Sequence, residues 1–109
     1  MSEKRVFAPT SEHPAITPEE HAALDRLLTH AQGDSGQSRR VADFLLAWWN
    51  AGQCGSYDLT TAWGMDDAIV ADVCVVFRLA SRSRSYPDKL GYGPRFEAVV
   101  RAWRPELIA

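Results

Sequence analysis

The side chains of this sequence able to do chemistry are few: His13, His21, His30, Cys54, Cys74 and the adjacent carboxylates Asp66 and Asp67. A shared metal ion needs its ligands on one face. His21 and His30 fall on one expected helix, and at about 100° per residue their nine-residue separation puts them on opposite sides. The two cysteines form no CxxC and all three histidines lie well upstream, so no zinc set is spelled out. Two free thiols suit a reducing cytoplasm. Cys74 lies in an apolar helical segment and is expected in the core. Cys54 is expected in a loop, with nothing basic near it in sequence to lower its pKa. Asp66 and Asp67 resemble a carboxylate pair for acid-base work, yet they stand at the start of a helix, where anions cap and complement the dipole. HExxH, GxSxG, Walker A and GxGxxG are all missing, and the glycines cluster at turns. The expectation is a non-enzymatic chain with no catalytic residue, metal or cofactor. An enzyme would have to use Cys54, or Asp66 with Asp67, in a pocket that perturbs their titration.

Binding is the better-supplied class. Trp48 and Trp49 point about 100° apart on a helix, so a single core-facing stripe does not bury both fully. Either both pack in a two-sided core or one serves as an interface anchor, a preferred use of tryptophan. Trp48, Trp49, Trp63, Tyr86 and Tyr92 are therefore the candidate partner-binding residues. Charge is unevenly spread: residues 1–40 carry a net −1, 41–72 a net −5 and 73–109 a net +4. Arg78, Arg82, Arg84, Arg95 and Arg101 are the candidates for an alternative, nucleic-acid-binding face. Such binding would weaken steeply with salt. Internal pairing with the acidic middle segment competes with it, and a pI of 5.9 favours that pairing.

These residues need helices to position them. Thr17-Pro18-Glu19-Glu20 spells a capping box with proline at the first helical position, opening a helix over about 18–31 in which Leu24, Leu27, Leu28 and Ala31 make the apolar stripe. Asp34 is placed to cap a second helix to about Asn50, closed by Gly52 and carrying Val41, Phe44, Leu45 and Trp48 inward. Asp58 caps a short helix over 59–63, ended by Gly64. Asp66 caps a long one to about Ser83, with Met65 and Val70 as a hydrophobic staple. Ile69, Val73, Val76, Phe77 and Ala80 form its stripe, while Val70, Val75 and Leu79 cover most of the rest, so it is expected to be the buried central helix. The β-branched run 70–76 would also suit a buried strand, but its length and aspartate cap favour helix. A helix-turn-helix reading of 59–83 fails on the same apolar surround, since a recognition helix needs polar side chains facing the bases. Pro94 opens a last helix with Phe96, Val99, Val100 and Trp103, and Pro105 stops it.

The 109 residues, 46% apolar and 24% charged, suffice for one domain without a metal or disulfide scaffold. The apolar runs 41–49 and 68–80 are broken by Asp43 and by Asp72 and Arg78, so neither is a membrane span. The first residues carry no apolar stretch of leader type, which points to a cytoplasmic protein. Residues 1–16, with Pro9 and Pro14 and no helical period, read as an extended arm whose Val6 and Phe7 can dock on the body or a partner. Residues 17–109 read as one all-α domain, a compact bundle of about five helices. The apolar second helix could also complete its burial in a homodimer.

The strings Leu46-Ala47-Trp48-Trp49-Asn50-Ala51, Cys54-Gly55, Asp58-Leu59-Thr60, Trp63-Gly64, Tyr86-Pro87-Asp88, Leu90-Gly91-Tyr92 and Trp103-Arg104-Pro105 resemble a family of small proteins classed as a domain of unknown function, found on proteobacterial plasmids and integrative elements. The resemblance covers about 41–107. It implies a mobile-element accessory protein acting on a host or element-encoded macromolecule, a context that includes inhibitors of host defence such as anti-CRISPR proteins. It carries no activity to transfer. The expected partner is a protein, with nucleic acid as the alternative.

Overall fold

A computed structural model describes residues 15–108. Four α-helices, α1 (Pro18–Ala31), α2 (Gly36–Cys54), α3 (Asp67–Ser83) and α4 (Gly93–Trp103), are joined by a 3-10 segment over Leu59–Gly64, which makes the fifth helix of the bundle. Shorter 3-10 turns cover Pro87–Leu90 and Pro105–Leu107, and no strand occurs among the described residues. The expected arm lies outside the described residues apart from Ala15 and Ile16; Ile16 packs against the core.

The first helix starts as its sequence dictates. Thr17 Oγ1 accepts from the Glu20 backbone N–H at 3.1 Å, and the Thr17 N–H donates to Glu20 Oε1 at 2.9 Å. Two of the donors that every helix start leaves unpaired are thereby satisfied. Ala23, Leu24, Leu27, Leu28 and Ala31 are at most 1% exposed. The α1 helix packs on α2, α3 and α4, which makes it the central helix in place of α3. The exchange has a simple cause: α1 is lined by small and medium apolar residues, so three neighbours approach it closely.

Two boundaries of α2 differ from expectation. Ser35, not Asp34, is the cap, its Oγ accepting from the Ser38 N–H at 3.0 Å. Both residue types cap well, and the Ser35 and Ser38 hydroxyls also pair with each other at 3.0 Å. At Asn50 the backbone leaves helical geometry, but the Asn50 Oδ1 accepts from the Gln53 N–H at 3.2 Å and starts one more turn. That turn carries Cys54 into the interior, where it is 6% exposed, and Gly55 ends it at a φ of 106° that glycine tolerates.

The last helix locks the bundle. Phe96 of α4 is fully buried, with Trp49 stacked on it at 5.7 Å and Trp48 edge-on at 5.8 Å. The indole N–H groups are also used: Trp48 Nε1 donates to the Ser85 carbonyl at 3.0 Å and Trp103 Nε1 to the Ala31 carbonyl at 2.7 Å. Among the described residues four ion pairs tie the chain together, namely Arg26–Asp72, Arg82–Glu20, Arg95–Asp25 and Arg104–Asp43.

Glu20 links cap and ion pair, which gives the fold an acid limit. Burial pushes its carboxyl pKa up, but the Thr17 backbone N–H and the Arg82 guanidinium outweigh that and hold it below its ordinary value. A folded pKa lower than the unfolded one adds stability above the ordinary carboxylate range, lost as pH falls through the lowered value. The melting temperature of Glu20→Gln, which keeps the cap but loses the charge, should therefore depend less on pH in the acid range than that of the wild type. Glu20→Ala, losing both, should cost about 1–3 kcal/mol at neutral pH.

Candidate protein-docking groove

The most apolar helix of the chain has two faces. Ile69, Val76 and Leu79 of α3 point inward and are at most 5% exposed. Val70, Val73, Cys74 and Phe77 form a second stripe at i, i+3, i+4 and i+7, and none of the four is buried. Phe77 is 63% exposed. The expectation that α3 is covered all round is therefore corrected. Its inner face meets α1, and α4, the one long helix that follows, packs on α2 and α1 instead of covering the other face.

That second stripe forms one wall of a groove of about 750 Å³. Phe44, Ala47 and Trp48 of α2 line it from the other side, and Tyr57, Leu59 and Ala62 close one end. Arg78 is the one charged residue in the lining. Leu59 and Trp63, on the 3-10 segment, are 80% and 86% exposed. Single exposed apolar residues are ordinary, whereas a contiguous apolar hollow with protruding rings beside it marks a surface that expects a cover.

The closed end of the groove carries an unsatisfied polar group. Tyr57 packs edge-on against Phe44 at 5.4 Å, and its hydroxyl is the one buried side-chain polar atom among the described residues with no hydrogen bond. Burial, with the nearby Asp43 and Asp58 carboxylates, pushes its pKa up. Because an unsatisfied buried hydroxyl costs free energy, Tyr57→Phe should leave the melting temperature unchanged or raise it.

Both cysteines sit contrary to expectation. Cys74 is exposed on the outer stripe, while Cys54 is buried in the last turn of α2. Burial pushes the Cys54 thiol pKa up, with Arg104 opposing and Glu106 adding to the shift. A maleimide should modify Cys74 in the native protein and reach Cys54 only in denaturant, a difference mass spectrometry reads directly. The carboxylate pair also departs from its expected role. Asp66 makes no side-chain cap; its N–H donates to Gln37 Oε1 at 2.7 Å and its Oδ2 accepts from Gln37 Nε2 at 3.2 Å. A reciprocal amide pair thus replaces the cap and ties the start of α3 to α2. Asp67 is exposed in the first turn.

The expected partner-binding residues divide among three places. Trp48 lies in the groove, while Trp63, outside the lining, stands exposed on the 3-10 segment one residue after Ala62. Trp49 and Tyr86 line a different hollow at the end of α2, of about 560 Å³, together with Asn50 and Asp88. Tyr92 is 8% exposed, its hydroxyl 2.6 Å from His21 Nδ1, which places it in the core and not on a binding face. Leu59 is not among the residues the sequence reading selects for binding, and Val70, Val73 and Phe77 are assigned there to the buried surface of the long helix, not to a docking face. The i, i+3, i+4, i+7 spacing of Val70, Val73, Cys74 and Phe77 was the available signal.

A family model described as "Family of unknown function (DUF7673)" matches residues 21–104. The chain belongs to this family. The match begins at His21, well before residue 41, so α1 belongs to the family's shared region, as its central position in the bundle requires. No curated protein and no solved structure matches the chain.

The basic residues of this DUF7673 chain are partly committed. Arg82 pairs with Glu20 and Arg95 with Asp25, both on α1, while Arg104 pairs with Asp43 and donates to the Cys54 carbonyl at 3.0 Å. Internal pairing thus reaches α1 more than the acidic middle segment. Arg78, Arg84 and Arg101 are exposed and form no ion pair among the described residues. No three His, Cys, Asp or Glu side chains gather as a metal set among the described residues, and no described helix is long and apolar enough to cross a membrane.

Proposed function

We propose that this protein is a non-enzymatic interaction module that binds a protein partner through the apolar groove between α2 and α3. The observation that carries this is the partly open second stripe of α3, facing a hollow lined by Trp48 and by the protruding Leu59 and Phe77. Burying large aromatic and aliphatic side chains in a desolvated pocket is how a few residues supply most of an interface's free energy. The sequence resemblance supplies the biological setting, a protein of a bacterial mobile genetic element that modulates a host or element-encoded macromolecule, for example as an inhibitor of host defence, and the free thiols suit a cytoplasmic location. A protein partner is favoured over nucleic acid because two of the five candidate arginines are held by α1 carboxylates, and the groove is apolar.

The test is a paired affinity capture from the lysate of host cells that also express the untagged chain, using the tagged full chain and its Phe77→Ala form. Recovery of a protein by the first and its loss from the second supports docking through the groove. Identical recoveries by both, or recovery of nucleic acid alone, would contradict it.

A further inference from the structure

We infer that the groove's occupant is a second copy of this chain, packed through α3 across a two-fold axis; this rests on the groove being a docking surface. Area is the first support. An aromatic side chain offers about 150–250 Å². Trp63 and Phe77, exposed to 86% and 63%, thus leave roughly 300 Å² open, more than a third of the ~800 Å² each side of a standard interface buries. The groove lining supplies more.

Shape and charge point the same way. A two-fold contact requires one surface to complement itself. Here the protruding Phe77 and the hollow it borders share one face, so each copy can seat its ring in the other's groove. Asp67 and Arg78 are both exposed and lie eleven residues apart on α3, close to three full turns, hence on the same flank of the stripe. When two helices pack antiparallel across a two-fold, a flank faces its own copy in reverse order. Arg78 of one copy then lies opposite Asp67 of the other, and the pair forms twice. An unrelated partner would need to match the hollow, the ring and the charge order separately; a second copy brings all three. Val73 and Cys74, at the middle of the stripe, fall nearest the axis.

Sedimentation of the full chain from low micromolar to millimolar concentration is the test. The expected mass rises from 12.1 kDa toward twice that value. Asp67→Arg alone and Arg78→Asp alone should each weaken association, by about 3-fold or more for a charge reversal at an interface, and the double variant Asp67→Arg/Arg78→Asp should restore it. Phe77→Ser should weaken it by about 30-fold or more. Thermal melts check that each variant is folded. Monomers throughout the range would overturn the second copy as occupant while leaving groove docking to stand or fall by the paired capture. Dimers indifferent to Phe77→Ser and to the charge reversals would overturn it as well, placing self-association on another face.

Discussion

Replacing Phe96 by alanine should destabilise the protein by about 3–5 kcal/mol, the range for deleting a buried aromatic ring. Phe96 is fully buried and is the ring that both Trp48 and Trp49 contact, one edge-on and one stacked. Its loss leaves a cavity between α2 and α4 and frees two indoles at once. Their fluorescence should shift to longer wavelength in the native baseline, and the unfolding midpoint in urea should fall. Phe96→Leu, which keeps most of the volume, should cost markedly less. A Phe96→Ala variant with wild-type stability would mean that α4 does not lock the bundle in this way. Phe77→Ala is the informative contrast. The same residue type, 63% exposed on α3, should change stability by no more than about 0.5 kcal/mol.

The second large effect concerns binding. Trp63→Ala and Phe77→Ala should each reduce affinity for the groove's occupant by about 30-fold or more, equivalent to 2 kcal/mol, the threshold for a hot spot. Both should melt close to the wild type, because neither ring is buried in the isolated chain. This split between unchanged stability and lost association distinguishes a docking surface from a weakened core. Titration calorimetry of the isolated complex and melts of the variants measure the two sides. Arg101→Ala, on α4 and outside the groove lining, serves as the control. A large loss with Arg101→Ala and none with Trp63→Ala would move the contact to the basic end of the chain.

Local chemistry made much of this fold legible in the sequence. The Thr17 to Glu20 box, the Asp58 cap and the Pro105 stop act over a few residues, and each appears in the structure. The stripe of α1 was equally readable, since Leu24, Leu27, Leu28 and Ala31 repeat at helical spacing and all are buried. What stayed hidden depends on the placement of other helices. An all-round apolar α3 satisfies the pattern of a buried helix, and nothing in its own residues says that α1 covers one side and leaves the other open. The same blindness placed Cys74 inside and Cys54 outside. Tyr92 looked like one more surface aromatic until its helix start was packed against His21. Ion-pair partners were undetermined for the same reason: Arg82 and Glu20 are far apart in sequence and meet only through the α1–α3 packing.

Cys74 offers the most direct test of the groove, because it is exposed at the middle of the outer stripe and lies in the groove lining. The rate of its alkylation by a maleimide should be measured in the free monomeric chain and again in the saturated complex or associated state. Docking through the groove predicts strong protection of Cys74 on association, with Cys54 unreactive in both. An unchanged Cys74 rate in a complex shown to be intact would contradict it.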